Sequence, residues 1–358
     1  MSLRTDPLAP IDLRSDFLAR PDAAMNEAAA AARADARYFG LREDPWQRRL
    51  EARLAELTGQ EDALVFPTCS MANTTALMLA APPGSGVLTQ PGAHVLVSEA
   101  HAGAALGGLA LSAVDGRHDG GSDAMPALSA WRQALAGTVD AQRPAVRLCV
   151  LENTHNRSGG VPLTVAYTAA VVALARERGV ALHLDGARLL YAARALGVAP
   201  RALCGGFDTV SVSLNKTLGA PVAAALAGPA DRIERALTLR QRLGGGLRPT
   251  GTACAEALAG LDGLADLDQP LALARRLAAG LAQCPGLRVL APDTLSNLVM
   301  VELAHDDAAS GAVARMAGRG LLALAMDGRR IRFALYRGIT PDQIERGLAI
   351  VRAAINPP

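Results

Sequence analysis

The chain has 358 residues, half of them apolar, so it can build a large core, and we expect two lobes rather than one domain. Its charges nearly cancel to a net +2 and are spread along the sequence, which argues against a nucleic-acid-binding protein or a membrane-surface protein. Five cysteines without a C-x-x-C pair indicate neither a disulfide framework nor a zinc site.

The sequence also indicates the cellular compartment. The N-terminus lacks the apolar core of a signal peptide, and no apolar run reaches the roughly 18 residues that a membrane span needs. We therefore expect a cytoplasmic protein with no membrane partner.

The first predicted elements are a short arm and two helices. The arm covers residues 11–16 and carries polar groups that need partners. Pro21 opens a helix through about Arg37, and Pro45 opens a second one, with leucines at helical spacing and Gly59 as its stop.

A predicted strand at 63–66 runs directly into a helix that begins near Cys69 and Ser70 and continues to about Ala80. Free backbone N–H groups and hydroxyls at such a helix start can bind an anion. The same residues can equally serve as a plain helix cap, and both interpretations stay open at this point.

Further predicted strands alternate with helices, at 94–98, 146–151, 180–184 and 209–214. This alternation is typical of an α/β fold with a mostly parallel sheet covered on both faces, to which 223–227 adds an antiparallel strand. Later short strands are predicted near 287–290, 297–303, 321–326 and 331–335. We predict an arm and large domain over 1–250 and a small C-terminal α+β domain over 251–358.

Two strand ends carry complementary chemistry. Lys216 follows the strand at 209–214, and Asp185 ends the strand at 180–184. Pyridoxal phosphate (PLP) requires a lysine that forms a Schiff base and an aspartate that keeps the pyridine nitrogen protonated. The alternative is an ordinary lysine at a strand end, salt-bridged to Asp185.

Arg332 stands inside the apolar strand at 331–335. A buried arginine needs a partner, which is either a structural carboxylate of the chain or the carboxylate of a substrate.

Several motifs in one order make the chain resemble the L-threonine aldolases, which are grouped with the β-eliminating lyases among the fold-type I PLP enzymes. The resemblance extends over about residues 11–350. It is carried by Asp12–Asp16, Pro67–Asn73, His101, Leu151–Asn156, His183–Arg188, Lys216–Pro221 and Gly244–Arg248.

The resemblance implies a large domain like that of aspartate aminotransferase and a set of cofactor contacts. Lys216 would hold PLP covalently, Asp185 would pair with the pyridine nitrogen, and His101 would stack on the ring. Cys69 and Ser70 would bind the phosphate. Cys69 stands where the family usually has glycine, which adds bulk to this loop.

The remaining implied contacts involve arginines and a partner subunit. Arg188 would lie beside the ring oxygen, and Ser15, Arg188 and Arg332 would bind the substrate carboxylate. Arg248 would reach the phosphate from the other subunit of a homodimer or homotetramer, whose active sites form at the dimer interface. No metal is implied.

The implied reaction is aldol cleavage of an L-β-hydroxy-α-amino acid, such as threonine or allo-threonine, to glycine and an aldehyde. His101 or His155 would be the general base, or His101 would only stack while His155 or a water takes the proton. The same cofactor apparatus could instead run β-elimination, transamination or racemisation. A protein that binds PLP without catalysis is a further alternative.

Overall fold

The structure, a computed structural model, describes residues 9–35, 38–116, 118–137, 142–220, 224–294, 296–304 and 309–355. The helices are α1 (Ala23–Asp35), α2 (Pro45–Thr58), α3 (Cys69–Ala80), α4 (His94–Val97), α5 (Ala102–Ala105), α6 (Leu128–Leu135), α7 (Val165–Arg176), α8 (Leu189–Leu196), α9 (Pro200–Leu203), α10 (Leu214–Leu218), α11 (Ala230–Arg242), α12 (Gly251–Asp262), α13 (Asp268–Ala282), α14 (Ala309–Ala317) and α15 (Pro341–Ile355). The strands are β1 (Ile11–Asp12), β2 (Asp62–Phe66), β3 (Gly86–Thr89), β4 (Ala110–Ala113), β5 (Val146–Glu152), β6 (Ala181–Gly186), β7 (Thr209–Ser213), β8 (Ala224–Gly228), β9 (Leu287–Val289), β10 (Leu298–Leu303), β11 (Leu321–Leu322), β12 (Leu324–Ala325) and β13 (Arg330–Ala334).

The central sheet has seven strands among the described residues, in the order β2-β8-β7-β6-β5-β3-β4. Its pairings are parallel except those of β8, which runs antiparallel to both β2 and β7. Every residue of β7 and β8 is buried, as expected of strands covered by helices on both faces. The predicted α/β architecture with an added antiparallel strand is confirmed.

The prediction of a strand at 94–98 is wrong. His94–Val97 form the single helical turn α4, and the strand that pairs with β5 lies earlier, at Gly86–Thr89. One histidine followed by three apolar residues suits a short strand or one helical turn equally well, so local pattern does not decide. A long-range contact does, because the Glu152 carboxylate accepts a hydrogen bond from the His94 backbone N–H at 2.6 Å.

The C-terminal part is built on a second, antiparallel sheet in the order β12-β13-β10-β9. The single strand predicted at 321–326 is in fact two short strands, β11 and β12. β11 pairs in parallel with β1 of the N-terminal arm, so Ile11 and Leu13 are buried in the same apolar cluster as Phe333 and Leu335. The arm therefore belongs, by packing, with the end of the chain.

The structure tests two of the sequence-based predictions only in part. The first helix begins at Ala23, and its predicted end at Arg37 lies outside the described residues. The division at residue 250 stays a prediction; α12, just beyond it, packs against α1 and α2. Among the described residues, no helix combines the length and the apolarity that a bilayer crossing requires.

Candidate active site

Lys216 lies in α10, immediately past the end of β7. Its backbone N–H is held by Ser213 Oγ at 3.5 Å and by Asn215 Oδ1 at 2.9 Å, which starts the turn at the sheet edge. The side chain is only 7% exposed, and its Nζ lies over the Phe17 ring, 5.1 Å from the centroid. Within the described part of the chain, Nζ makes no hydrogen bond or ion pair. The alternative of a lysine salt-bridged to Asp185 is therefore wrong.

Asp185 ends β6, the strand next to the one that leads to Lys216. It is directly opposite Ser211 of β7 in the register, and it is buried. Its carboxylate accepts hydrogen bonds from Asn73 Nδ2 at 2.9 Å and from the Ala187 backbone N–H at 3.1 Å. An acid and a partnerless amine thus stand on neighbouring strands, as the sequence predicts.

The predicted stacking histidine lies outside the cluster around Asp185. His101 is exposed, and within the described residues its ring has no hydrogen bond or ion pair with the other predicted site residues. His94 lies in that cluster, because its Nδ1 is 2.8 Å from Glu99 Oε1 and within 4.8 Å of the Asp185 carboxylate. The stacking role of His101 stays a prediction. Burial opposes protonation of His94, but Glu99 and the charges of Asp185 and Glu152 raise its pKa above the ordinary value.

Cys69 and Ser70 open α3, with Thr68 as the N-cap. The Cys69 sulfur contacts Ser211 Oγ at 3.6 Å and Asp185 Oδ1 at 4.0 Å. Burial and the Asp185 charge raise the pKa of the thiol, so it stays protonated. Ser70 is half-buried in the first turn, and this helix start offers backbone N–H groups as well as its hydroxyl.

The two predicted arginines differ in what they bind. Arg188 is clamped by Asp16, with Nε to Oδ2 at 2.7 Å and Nη2 to Oδ1 at 2.8 Å. Arg332 instead donates to Asn156 Oδ1 at 2.5 Å and to the Arg14 carbonyl at 2.9 Å, and its buried Nε has no partner. Burial and the positive charge of Arg188 lower the pKa of Arg332 to about 10. The expected structural carboxylate for Arg332 is absent from the described residues.

Asp16 is buried in the same group of charges. Burial alone would raise its pKa, but the Arg188 guanidinium outweighs this and holds the pKa below its usual value, with Lys216 and Asn297 adding to the effect. The Asp16–Arg188 pair therefore leaves Arg332 without a carboxylate partner among the described residues.

His155 is fully buried at the end of the loop after β5. Its Nδ1 is 2.8 Å from Ser158 Oγ, and its Nε2 has no hydrogen-bond partner among the described residues. Burial lowers the pKa of His155, which favours the neutral ring that a general base requires.

The two remaining predicted residues occupy different surfaces. Ser15 caps the turn Asp16–Leu18 by accepting a hydrogen bond from the Phe17 N–H at 3.3 Å. Arg248 is exposed, donates to the Phe39 carbonyl at 3.2 Å and lies 5.2 Å from the Phe39 ring centroid. Among the described residues it has no contact with Cys69 or Ser70 of its own chain.

Comparison with known proteins identifies the family. The sequence profile of the β-eliminating lyases matches residues 12–304. The chain belongs to the β-eliminating lyase family. It is 36% identical over 349 residues to low-specificity L-threonine aldolase 1 of Arabidopsis thaliana, covering 96% of both chains.

Solved structures agree on the fold of this β-eliminating lyase. Threonine aldolase from Leishmania major superposes with a TM-score of 0.81 at 19% identity, covering 97% of this chain and 100% of the other. An SPT structure with PLP superposes with a TM-score of 0.76 at 19% identity, covering 96% and 87%. The predicted fold-type I architecture is confirmed.

The residues of this β-eliminating lyase fit PLP. The partnerless Lys216 amine, the Asp185 carboxylate one strand away and the hydroxyl-bearing start of α3 match the aldehyde, the ring nitrogen and the phosphate in chemistry. His94, Glu99 and Asp185 also place ligand-type atoms within 4.8 Å of one another, as a metal site would. Asn73 Nδ2 already donates to both carboxylates, which makes a hydrogen-bonded floor the better description.

Sequence reasoning missed four members of this site: Asp16, Asn73, His94 and Glu99. Asp16 and Asn73 lie inside motifs that the sequence singles out, but pattern does not tell which side chain bonds which. His94 was hidden by the wrong strand assignment at 94–98. The sequence does show a histidine five residues before a glutamate, and this spacing was the signal that could have pointed to His94.

Proposed function

We propose that this β-eliminating lyase uses PLP to cleave L-β-hydroxy-α-amino acids, of the threonine or allo-threonine kind, to glycine and an aldehyde. One observation carries the proposal: the buried Arg332 belongs to the group of charges around Asp16, which also includes Arg188 and Lys216, and it has no carboxylate partner among the described residues. The names of the relatives, low-specificity L-threonine aldolases, support it.

When bound, PLP supplies an electron sink for the charge left on the substrate Cα. The side chains of the protein hold the substrate in position. Arg332, with Ser15 and the free edge of Arg188, binds the substrate carboxylate, and Asp16 keeps Arg188 in place. Holding that carboxylate orients the Cα–Cβ bond, an effect that can contribute several kcal/mol.

The proton of the β-hydroxyl goes to His155. Its Nε2 has no hydrogen-bond partner among the described residues, and its neutral ring is ready to accept a proton. His94 carries a raised pKa and a bond to Glu99, so its ring is more fully protonated and suits ring stacking better than proton abstraction. General-base catalysis of this kind is worth about 10²–10⁴ in rate.

A product screen tests the proposal. L-threonine, L-allo-threonine and phenylserine are each incubated with the PLP-loaded protein, and glycine, aldehyde, ammonia and keto acid are measured. Glycine and aldehyde in equal amounts are expected. Ammonia with a keto acid would instead support β-elimination, and no turnover at all would support a non-catalytic PLP-binding protein.

Lys216→Ala is the matched control. Borohydride reduction followed by peptide mapping is expected to find the cofactor on Lys216 of the wild type and on no peptide of the variant. Lys216 is the single lysine of the sequence, so a PLP-loaded wild type that carries no reduced cofactor on this residue would contradict its assignment.

Assembly and compartment belong to the same proposal. We propose a homodimer or homotetramer in which the partner's Arg248 completes the phosphate site, supported by the exposure of Arg248 and of Phe39, which is 82% exposed. We also propose a cytoplasmic location, supported by five unpaired cysteines.

A further inference from the structure

Asn73 lies at the centre of a hydrogen-bond network under the proposed PLP site. Its Nδ2 donates to Asp185 Oδ2 at 2.9 Å and to Glu99 Oε1 at 2.8 Å. Its Oδ1 accepts from Ser211 Oγ at 2.6 Å and from His183 Nε2 at 3.1 Å. The side chain is 1% exposed, and all four hydrogen-bonding positions of its amide are used.

The orientation of this amide is fixed by its partners. Carboxylates only accept hydrogen bonds, so the NH₂ group must face Asp185 and Glu99. Burial lowers the pKa of His183 to about 4, so that ring is neutral, with Nδ1 2.8 Å from Thr209 Oγ1 and Nε2–H donating to Asn73. The two strands β6 and β7 thereby lock the amide from the other side.

Two buried carboxylates this close would otherwise compete for a proton. Carboxylates that share a site tend to share one proton, because both cannot remain charged. Burial and the charge of Asp185 raise the pKa of Glu99, while its hydrogen bonds from His94 and Asn73 act in the opposite direction. Asn73 donates one N–H to each carboxylate, which takes the place of a shared proton. The Asp185 carboxylate thereby remains able to accept a further hydrogen bond.

We propose that Asn73 is a positioning residue that reserves the Asp185 carboxylate for the pyridine nitrogen of PLP. It acts through Asp185 and does not touch the reacting atoms. The proposal rests on the proposed function, since it requires that PLP binds with its ring nitrogen at Asp185.

The test compares PLP with 1-deazapyridoxal phosphate, in which carbon replaces the ring nitrogen. The cofactor-free wild type, Asn73→Ala and Asn73→Leu are titrated with each compound, and binding is followed by absorbance. Asn73→Ala and Asn73→Leu are expected to bind PLP about 10- to 100-fold more weakly, the loss typical of a hydrogen bond to a charged group. Their affinity for the deaza analogue is expected to match that of the wild type.

Ser70→Ala is the contrasting variant, because Ser70 lies in the first turn of the same helix and is proposed to bind the phosphate, not Asp185. It should weaken both compounds equally. Using two Asn73 variants keeps the test valid if one of them fails to fold, as judged by circular dichroism.

Three results would overturn the role of Asn73. Equal losses for PLP and for the deaza analogue would show that Asn73 only supports the fold, and an unchanged PLP affinity would show that Asp185 needs no such help. A wild-type chain that binds neither compound would overturn the proposed function itself, together with this inference.

Discussion

Arg332 is a buried cation whose hydrogen-bond partners are an amide oxygen and a backbone carbonyl oxygen instead of a carboxylate. We expect Arg332→Leu to reduce kcat/KM for L-threonine by about 10- to 100-fold, mainly through KM, because a hydrogen-bonded carboxylate loses its charged partner. Steady-state kinetics of glycine formation measure this effect.

Arg330→Leu is the matched control for that variant. Arg330 lies on the same strand but has a carboxylate partner of its own, Asp327. Its removal should leave KM unchanged. Equal increases of KM in both variants would mean that the strand, and not the Arg332 charge, is responsible.

Asp16 offers a test of stability at the same scale. Asp16→Asn leaves Arg188 buried without its counter-ion, and removing one partner of a buried pair typically costs about 3–5 kcal/mol of unfolding free energy. Urea unfolding of wild type and variant measures the difference.

The Asp16–Arg188 pair also determines how the stability of the protein changes with pH. Because folding lowers the pKa of Asp16, its contribution is complete above the unfolded value of 3.8 and is lost as the pH falls below it. The wild type should therefore lose more stability than Asp16→Asn between pH 5 and pH 3. Parallel pH curves for the two proteins would contradict the assigned charge state.

The helical turn that carries Lys216 ends at Gly219, which has a φ of 76°. A Cβ at this position would lie 2.9 Å from the Arg20 carbonyl oxygen, so the turn and the arm after Asp16 are packed against each other without space for a side chain. This close approach fixes the lysine relative to the arm.

Gly219→Ala and Gly197→Ala form a matched pair of variants at the level of the element. Both glycines end helices with positive φ, but a Cβ at Gly197 would meet nothing within 4 Å. Gly197→Ala should lower the free energy of unfolding by about 1–2 kcal/mol, the usual penalty for a side chain in the left-handed conformation. Gly219→Ala should cost more and also weaken PLP binding. Equal losses in urea unfolding would contradict the packing argument.

The N-terminal arm joins distant parts of the molecule. β1 pairs with β11 near the C-terminus, and the arm continues to Asp16, which binds Arg188 after β6. The arm carbonyl of Arg14 also holds Arg332. The proposed substrate side of the site is thus assembled from three regions far apart in sequence, and a shift of the arm would disturb all of them.

Subunit mixing tests whether the site also needs a second chain. Lys216→Ala and Arg248→Ala homodimers should each be weakly active or inactive. Mixed dimers should recover activity, because one of their two sites combines Lys216 of one chain with the partner's Arg248. The measurement is glycine formation after the two variants are unfolded and refolded together. No recovery, with mixed dimers verified by mass spectrometry, would place Arg248 outside the partner's site.

The sequence by itself determined the α/β alternation, the capped helices, and the positions of Lys216 and Asp185 at neighbouring strand ends. These are local properties, since apolar periodicity and the residues at strand ends reflect burial along the chain. The family motifs also lay in the sequence, and they led to the function proposed for this protein.

Tertiary structure alone decided which side chains meet. His94, and not His101, joins Glu99 and Asp185, because a carboxylate of β5 holds the His94 backbone in a helical turn. Asp16 takes Arg188 and leaves Arg332 without a carboxylate, and Asn73 separates two acids. The Asn73–Asp185 and Asp16–Arg188 hydrogen bonds join residues 112 and 172 positions apart, and such contacts have no periodicity that a sequence could show, so only the folded arrangement selects them.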